Sequence, residues 1–420
     1  MRKAVLALFA LGAALSVSLP GAFARTQAPQ APEAAPGITS RTIKIGGTFP
    51  LSGFASQYAP IPRGMAAYFS YVNARRDKKN GQRGIYGRQI VWKYYDDAYN
   101  PAQTVQLTNK LILEDKVFAT VGSLGTEPVL ASRPLQNARK VPQVLVSTGA
   151  SYWGTQYKQF PWTSGWQTDY VSEGKMYARW ILQHAPNAKI AVFYQNDDYG
   201  KDYLRGFKQG LGSKTSLIVS ELSYELSDTS YASQISRQRQ SGADTWVLFT
   251  TPTPTARAIP TAKAVGWKPD QIVINSVSAT DGVIGAVERS AGKPYVDGMI
   301  STGYLKNPTN PKYVNDSAVK TYRRIMTKYG PDGANLNNTF YYYGVAKAQD
   351  FVKLMYLAGK NPTRASLMAA TAKMNWVNPF MIKGVQIKTS NKDRFPIDQG
   401  KVVRYQDGSW TEISGLYKGR

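Results

Sequence analysis

The chain has no cysteine and a single histidine among its 420 residues. The first absence removes disulfides, thiol nucleophiles, zinc–thiolate sites and the acylated cysteine that would tether the chain to a membrane. The second leaves little acid–base or zinc chemistry, because any Ser-His-Asp triad would have to use His184. That residue closes a helical pattern just before Ala185-Pro186, where an imidazole more often serves the terminal carbonyls. Acidic residues are scarce as well, 27 against 52 Lys and Arg, for a net charge of +25. The positive charges are scattered, with Arg75, Arg76, Lys78 and Lys79 as the one dense cluster and no arginine-rich tail beside them. They read as a solvated cationic surface, and no nucleic-acid partner is expected.

Long apolar runs are missing beyond the first residues. Arg2 and Lys3 precede an apolar stretch over residues 4–17, which is too short to span a bilayer and stops at Pro20. Ala22-Phe23-Ala24 then offers the small-x-small pattern of a cleavage site. Residues 1–24 therefore read as a cleaved signal peptide, and the product as a periplasmic protein that is not a lipoprotein. Residues 25–40, rich in alanine and proline, read as a disordered lead-in.

Nucleotide motifs are missing too. Gly212-Ser213-Lys214-Thr215 resembles the end of a phosphate loop, but Phe207 stands where its leading glycine belongs. Gly46-Gly47-Thr48-Phe49 lacks the spacing of a dinucleotide fingerprint. The paired acids Asp96-Asp97 and Asp197-Asp198 sit at strand ends, where they cap loops more often than they form a hydrolytic dyad. No enzyme activity, cofactor or metal is expected.

What is present is an alternation of short β-branched or aromatic segments with amphipathic ones. Strands are expected at 42–49, 89–95, 117–121, 143–147, 189–195, 217–224, 245–250, 271–275 and 298–302. Helices are expected at 61–76, 101–115, 127–138, 170–184, 199–211, 231–240, 255–265, 311–329, 339–357 and 364–372, with Asn100-Pro101 as the clearest start. The pattern implies parallel sheets covered by helices, and the length implies two α/β domains, each doubly wound. Such lobes bind ligands at the carboxyl ends of their strands. The loops after Phe49, Val121, Ser147, Gln195, Thr250 and Asn275 are thus where function should lie. They carry hydroxyls and aromatics, among them Tyr58, Ser123, Thr126, the run 147–153, and Tyr199. Hydroxyls and free amides at helix starts bind a carboxylate without a counter-charge, and aromatic rings wall a small-ligand pocket.

The order and spacing of several stretches carry a resemblance. These are Ile43-Lys44-Ile45-Gly46-Gly47-Thr48-Phe49-Pro50-Leu51-Ser52-Gly53, Gly87-Arg88-Gln89-Ile90 leading into Tyr95-Asp96-Asp97, and Val121-Gly122-Ser123. Val141-Pro142 before Ser147-Thr148-Gly149-Ala150-Ser151, then Asp198-Tyr199-Gly200, and Tyr405-Gln406-Asp407-Gly408-Ser409-Trp410 complete the set. The chain resembles the type I periplasmic binding proteins of branched-chain amino-acid ABC importers, the leucine/isoleucine/valine-binding class. The resemblance implies two Rossmann-like lobes that close like a flytrap, joined by three hinge crossings near residues 163–165, 301–304 and 383–387. Lobe 1 would comprise 41–163 and 304–385, and lobe 2 would comprise 164–303 and 386–420. It further implies that Ser123, backbone groups of Gly149 and Ala150, and the Ser151 hydroxyl hold a ligand carboxylate, with Tyr58 and Tyr199 facing the cleft. Where amino-acid binders grip the α-ammonium with a tyrosine and an acid, this chain has Thr251-Pro252 and residues 275–278. Thr251 is kept as a ligand contact, and Asp169, Asp198 and Asp281 are the acids that could substitute. The expected ligand is a small carboxylate-bearing solute, an amino acid or an aromatic or aliphatic carboxylate; a buried ammonium without an anionic partner costs several kcal/mol, which puts a standard aliphatic amino acid in doubt unless one of these acids takes over. The expected partners are a small-molecule ligand and importer permease subunits, with the protein acting as a monomer. The alternative is an exported receptor of the same fold that senses ligand without transport.

Overall fold

The computed structural model describes residues 35–76 and 81–420. The expected signal peptide, most of the lead-in, and Lys78 and Lys79 lie outside the described residues. Residues 35–420 form one unit that contains two helix-covered sheets.

The first sheet comprises β1 (Thr42–Phe49), β2 (Gln89–Asp96), β3 (Ala119–Val121) and β4 (Gln143–Val144), all parallel in the order β2-β1-β3-β4. Helices α1 (Pro60–Ala74), α2 (Pro101–Leu113), α3 (Thr126–Ala138) and the short α4 (Tyr152–Thr155) connect and follow these strands. The second sheet begins with β5 (Ile190–Gln195), β6 (Ile218–Tyr224), β7 (Thr245–Phe249), β8 (Gln271–Ile274) and β9 (Ile300–Gly303), again parallel. The apolar run Ile-Ala-Val-Phe of β5 is buried, as expected for a parallel strand covered on both faces. Its helices are α5 (Tyr170–His184), α6 (Asp198–Leu211), α7 (Ala232–Gln240), α8 (Pro252–Ala264) and α9 (Asp281–Ala291). Helices α10 (Ser317–Tyr329), α11 (Thr339–Ala358) and α12 (Arg364–Thr371) return to the first core. There α1 crosses α11 closely, because Gly64 and Gly344 leave no Cβ between the backbones. A small pair, β10 (Asn375–Trp376) and β11 (Ile387–Lys388), precedes β12 (Gln399–Gln406) and β13 (Ser409–Lys418). These last two strands are antiparallel and complete the order β13-β12-β9-β8-β7-β5-β6.

Caps fix the helix starts that position the later site. Asn100 accepts from Gln103 N at 3.1 Å, Asp169 from Ser172 N at 3.0 Å, and Asp197 from Gly200 N at 3.1 Å. His184 ends α5 with Nδ1 2.8 Å from Trp180 O and its ring stacked on Trp180, so it completes a helix end.

Four differences from the sequence reading have local causes. The strand expected over 143–147 stops at Val144 because Leu145 adopts φ 53°. The helix expected over 311–329 is a 3-10 turn, Pro311–Tyr313, followed by a new start that Asp316 caps through Ala318 N and Val319 N. Helix α9 was not anticipated. The hairpin β12–β13 was not either, although Asp407 (φ 51°) and Gly408 (φ 79°) form the Asp-Gly turn that signals one.

The chain passes between cores three times. Trp166, Tyr304 and Ile397 pack in the first core, while Tyr170, Ile300 and Val402 pack in the second. The third passage therefore lies between Ile397 and Val402, later than the expected 383–387, because β11 keeps Ile387 paired with Trp376 in the first core.

The first acid pair proves to be loop caps. Asp96 Oδ1 accepts from Leu51 N (2.8 Å) and Ala98 N (2.9 Å), while Asp97 accepts from Tyr99 N (3.0 Å) and Thr104 Oγ1 (2.9 Å). Burial pushes the Asp97 carboxyl up to about 6 from an ordinary 3.8. A carboxyl that binds its proton more tightly when folded stabilises the fold below about pH 4, and that contribution is lost as pH rises through about 6. The loss is about 3 kcal/mol for a shift of this size. Asp97→Asn preserves both contacts, so urea midpoints of the variant are expected to fall less between pH 4 and 6 than those of the parent. Parallel curves would contradict the assignment.

Candidate functional site

In a doubly wound sheet the crevice opens where successive strands add on opposite sides of the first. Those points fall between β1 and β3 in the first sheet and between β5 and β7 in the second. The loops at these strand ends converge on a cavity that encloses about 1100 Å³ of empty space, part of it open to solvent. The first sheet supplies Tyr58, Leu124, Gly125 and Thr126, together with Ser147 beyond β4. The second supplies Tyr199, Thr251 and Ser276. Passage segments add Gln167, Tyr170 and Tyr304, and α11 adds Phe340 and Tyr343 from its first turns.

One end of the cavity is a hydroxyl cluster. Thr126 Oγ1 lies 2.7 Å from Thr148 Oγ1, and Ser147 Oγ donates to Gly122 O at 2.7 Å. Tyr343 OH donates to Gln167 Oε1 at 2.7 Å, and Tyr199 OH donates to Thr250 O at 3.0 Å. Burial pushes the Tyr58, Tyr170, Tyr199 and Tyr343 phenols well above their ordinary range, so all four are neutral donors. Tyr58 packs at a 60° tilt against Phe340 with ring centroids 5.0 Å apart and forms an apolar wall. The far end is lined by Tyr313, Val403, Trp410 and two charges that are already paired. Lys306 Nζ is 2.7 Å from Asp316, while Glu412 accepts from Lys312 and Lys401, each at 2.8 Å.

Among the described residues, Glu412 is the only carboxylate on the cavity wall, and it is spoken for. Asp169 caps α5, Asp198 accepts from Tyr152 OH at 3.2 Å, and Asp281 accepts from Thr309 Oγ1 at 2.9 Å. None of these three lines the cavity. Glu173, in the first turn of α5, is separated from the cavity by Ser276, whose N–H and O–H it accepts at 2.7 and 2.9 Å.

Of the residues singled out from sequence, the structure brings together Tyr58, Tyr199 and Thr251 on the cavity wall. The other four lie off it. Ser123 Oγ accepts from Thr48 N at 3.2 Å, inside the first sheet. Gly149 O takes Tyr170 N at 2.8 Å, with no room for a side chain beside Thr168 O. Ala150 packs with Val129, Val146 and Trp153. Ser151 donates its N–H to Asp202 Oδ2 at 2.6 Å and its hydroxyl to Oδ1 at 3.3 Å, and Arg205 Nη2 donates to that hydroxyl at 2.8 Å. Ser151 thus ties the first-sheet side to α6 on the second, as do Thr253 Oγ1 to Phe54 O (2.6 Å) and Asp198 N to Glu127 Oε1 (3.2 Å). Thr126 and Ser147, which line the wall, belong to the same loops. Gly125, at φ 100°, turns the chain so that Thr126, three residues after Ser123, reaches the cavity.

This two-sheet crevice has counterparts. Residues 42–409 match the family described as periplasmic binding protein. The chain belongs to that family. Periplasmic binding proteins of this family are solute binders and not enzymes. It is 24% identical over 188 residues to the leucine-specific-binding protein of Salmonella typhimurium, covering 44% of this chain and 47% of that one. The match thus spans about half the length of that curated relative. Among solved structures, a branched-chain amino acid ABC transporter from Thermus thermophilus with bound valine superposes with a TM-score of 0.75 at 16% identity, covering 91% of this chain and 97% of that one. A solute-binding protein of an ABC transporter from R. palustris, in complex with 4-hydroxybenzoate, gives 0.72 at 21% identity, covering 90% and 97%. Among the described residues of this binding protein no helix is long and apolar enough to cross a membrane, and no group of three or more acids or histidines is placed to hold a metal.

Proposed function

We propose that the protein is the periplasmic substrate-binding component of an ABC importer, exported through residues 1–24, and that it captures a small carboxylate lacking an α-ammonium group. One observation carries the ligand class: the cavity offers hydroxyl donors and tyrosine walls but no free carboxylate to meet an ammonium. An amino acid there would bury an unpaired charge. An aromatic or aliphatic acid needs only donors for its carboxylate and an apolar wall for its body. The R. palustris and Thermus relatives span both ligand classes, and the wall chemistry favours the former. In this reading each core anchors one lobe and the three passages between cores are the hinges. The bonds from Ser151, Phe54 and Glu127 to the opposite side hold the closed form, which bound ligand favours by touching both lobes. The protein acts as a monomer and hands its ligand to permease subunits.

A thermal-shift panel tests the ligand class, with leucine, valine, benzoate, 4-hydroxybenzoate, octanoate and the corresponding neutral amides. A ligand at a hundred times its dissociation constant adds about 2.7 kcal/mol of apparent stability. The acids without an amine are expected to raise the melting temperature and leucine to leave it unchanged. A shift with leucine or valine alone would contradict the reading.

A further inference from the structure

Lys347 on α11 is 0% exposed, and among the described residues no carboxylate pairs with it. A lysine so placed is rare unless paired. Asp350, one turn further on, is committed to Trp166, Trp376 and Asn378. Lys347 Nζ instead donates to Ser147 Oγ at 2.6 Å and to Tyr343 OH at 3.0 Å, and lies 4.9 Å over the Trp166 ring and 4.6 Å over that of Tyr343. Both hydroxyls line the cavity, whereas Lys347 does not.

We propose that Lys347 is a specificity-determining residue which, through the Ser147 and Tyr343 hydroxyls, selects anionic over neutral ligands and takes up a proton when one binds. The proposal rests on the carboxylate reading above and assigns the charge that enforces it. Each hydroxyl accepts from Lys347 and donates elsewhere, Ser147 to Gly122 O and Tyr343 to Gln167. An arriving carboxylate can turn either O–H toward itself, giving an unbroken chain from Nζ–H through the hydroxyl to the ligand. The negative charge at its end then favours the ammonium over the amine. Burial alone holds Lys347 well below the usual lysine range, with Asp350 as the main opposing charge. The titratable group in contact with it is Tyr343 on its own helix, and Tyr343 in turn interacts electrostatically with Tyr170 and Tyr304; all three are neutral phenols. The site thus gains its proton with the ligand, and a neutral ligand brings none.

Calorimetric titration of the full chain at pH 7.5 with 4-hydroxybenzoate and with 4-hydroxybenzamide, each in phosphate and in Tris, provides the test. The acid is expected to bind with net proton uptake, seen as an enthalpy that differs between the buffers, and the amide with none. Lys347→Met is expected to abolish the uptake and weaken acid binding about 10- to 100-fold while moving amide binding less than about threefold. The wild-type buffer comparison stands even if the variant does not fold. Acid binding without proton uptake, or acid binding equal in wild type and Lys347→Met, overturns the assignment alone. If the wild type binds no carboxylate of the panel, the carboxylate reading fails and this assignment falls with it.

Discussion

Replacing Asp350 with alanine is expected to lower the unfolding free energy by about 3–5 kcal/mol. The carboxylate is 0% exposed in the first core. Its Oδ1 accepts from Trp376 Nε1, and its Oδ2 accepts from Trp166 Nε1 and Asn378 Nδ2, all at 2.8 Å. Alanine takes this acceptor from the Trp166 and Trp376 indoles and leaves Asn378 Nδ2 with Ala346 O alone, each lost acceptor worth about 1–3 kcal/mol, with partial relaxation limiting the sum. The three donors come from different parts of the chain: Trp166 from the first passage between cores, Trp376 from β10, and Asn378 from the turn after it. Asp350 therefore joins α11 to the first passage between cores as well as filling a polar hole. Asp350→Asn keeps one acceptor and should lose less. Burial lifts this carboxyl to about 6. Its contribution to stability thus declines as pH rises from about 4 through 6, while the three donors remain to be satisfied above that range. Urea denaturation at pH 7 with unchanged m-value checks the figure. A loss below about 1 kcal/mol for the alanine variant would show that the three donors find other partners.

A loss of similar size, with a functional consequence, is expected for Glu173→Ala. Glu173 accepts four hydrogen bonds, from Tyr177 OH (2.5 Å), Tyr203 OH (2.9 Å), Ser276 N (2.7 Å) and Ser276 Oγ (2.9 Å). Burial raises its pKa, and the four donors oppose that rise. Removal strands the Tyr203 phenol and the Ser276 amide and leaves Tyr177 OH with Thr302 Oγ1 at 3.1 Å, which sets the cost at about 3–5 kcal/mol. It also frees Ser276, a wall residue, from its only fixed anchor on α5. Ligand affinity should then fall about tenfold, beyond what lost stability explains, through a less ordered wall. Glu173→Gln retains one acceptor oxygen and is expected to fall between wild type and alanine in both denaturation and titration. Unchanged affinity in a folded Glu173→Ala protein would separate Ser276 from ligand binding.

Much of the architecture was legible because parallel strands announce themselves as short apolar runs. The helix starts at Pro101 and Tyr170, and the strand at Thr42–Phe49, fall where periodicity and capping residues place them. The hairpin β12–β13 was harder to read, since its outer strand is half exposed and carries mixed polarity, yet Asp407-Gly408 was a sufficient turn signal. The site was half legible. Strand-end logic led to the loops that line the cavity and to Tyr58 and Tyr199, and the resemblance added Thr251. Within a loop, however, which hydroxyl reaches the cavity depends on backbone turns such as Gly125 and Leu145, and no residue pattern encodes their direction. Tyr304, Phe340, Tyr343 and Lys347 belong to passage segments and to α11, which meet the crevice only through tertiary packing. The aromatic run from Phe340 to Tyr343 at a helix start was the one hint available.

The most direct test of the central claim is a crystal structure of the full chain grown with 4-hydroxybenzoate. The account expects the ligand in the cavity between the cores, its carboxylate within hydrogen-bond distance of the Thr126 or Ser147 hydroxyl and its ring against Tyr58 and Phe340. A carboxylate held instead by Ser123 and the 149–151 backbone, after rearrangement of the Ser151–Asp202 contact, would contradict it.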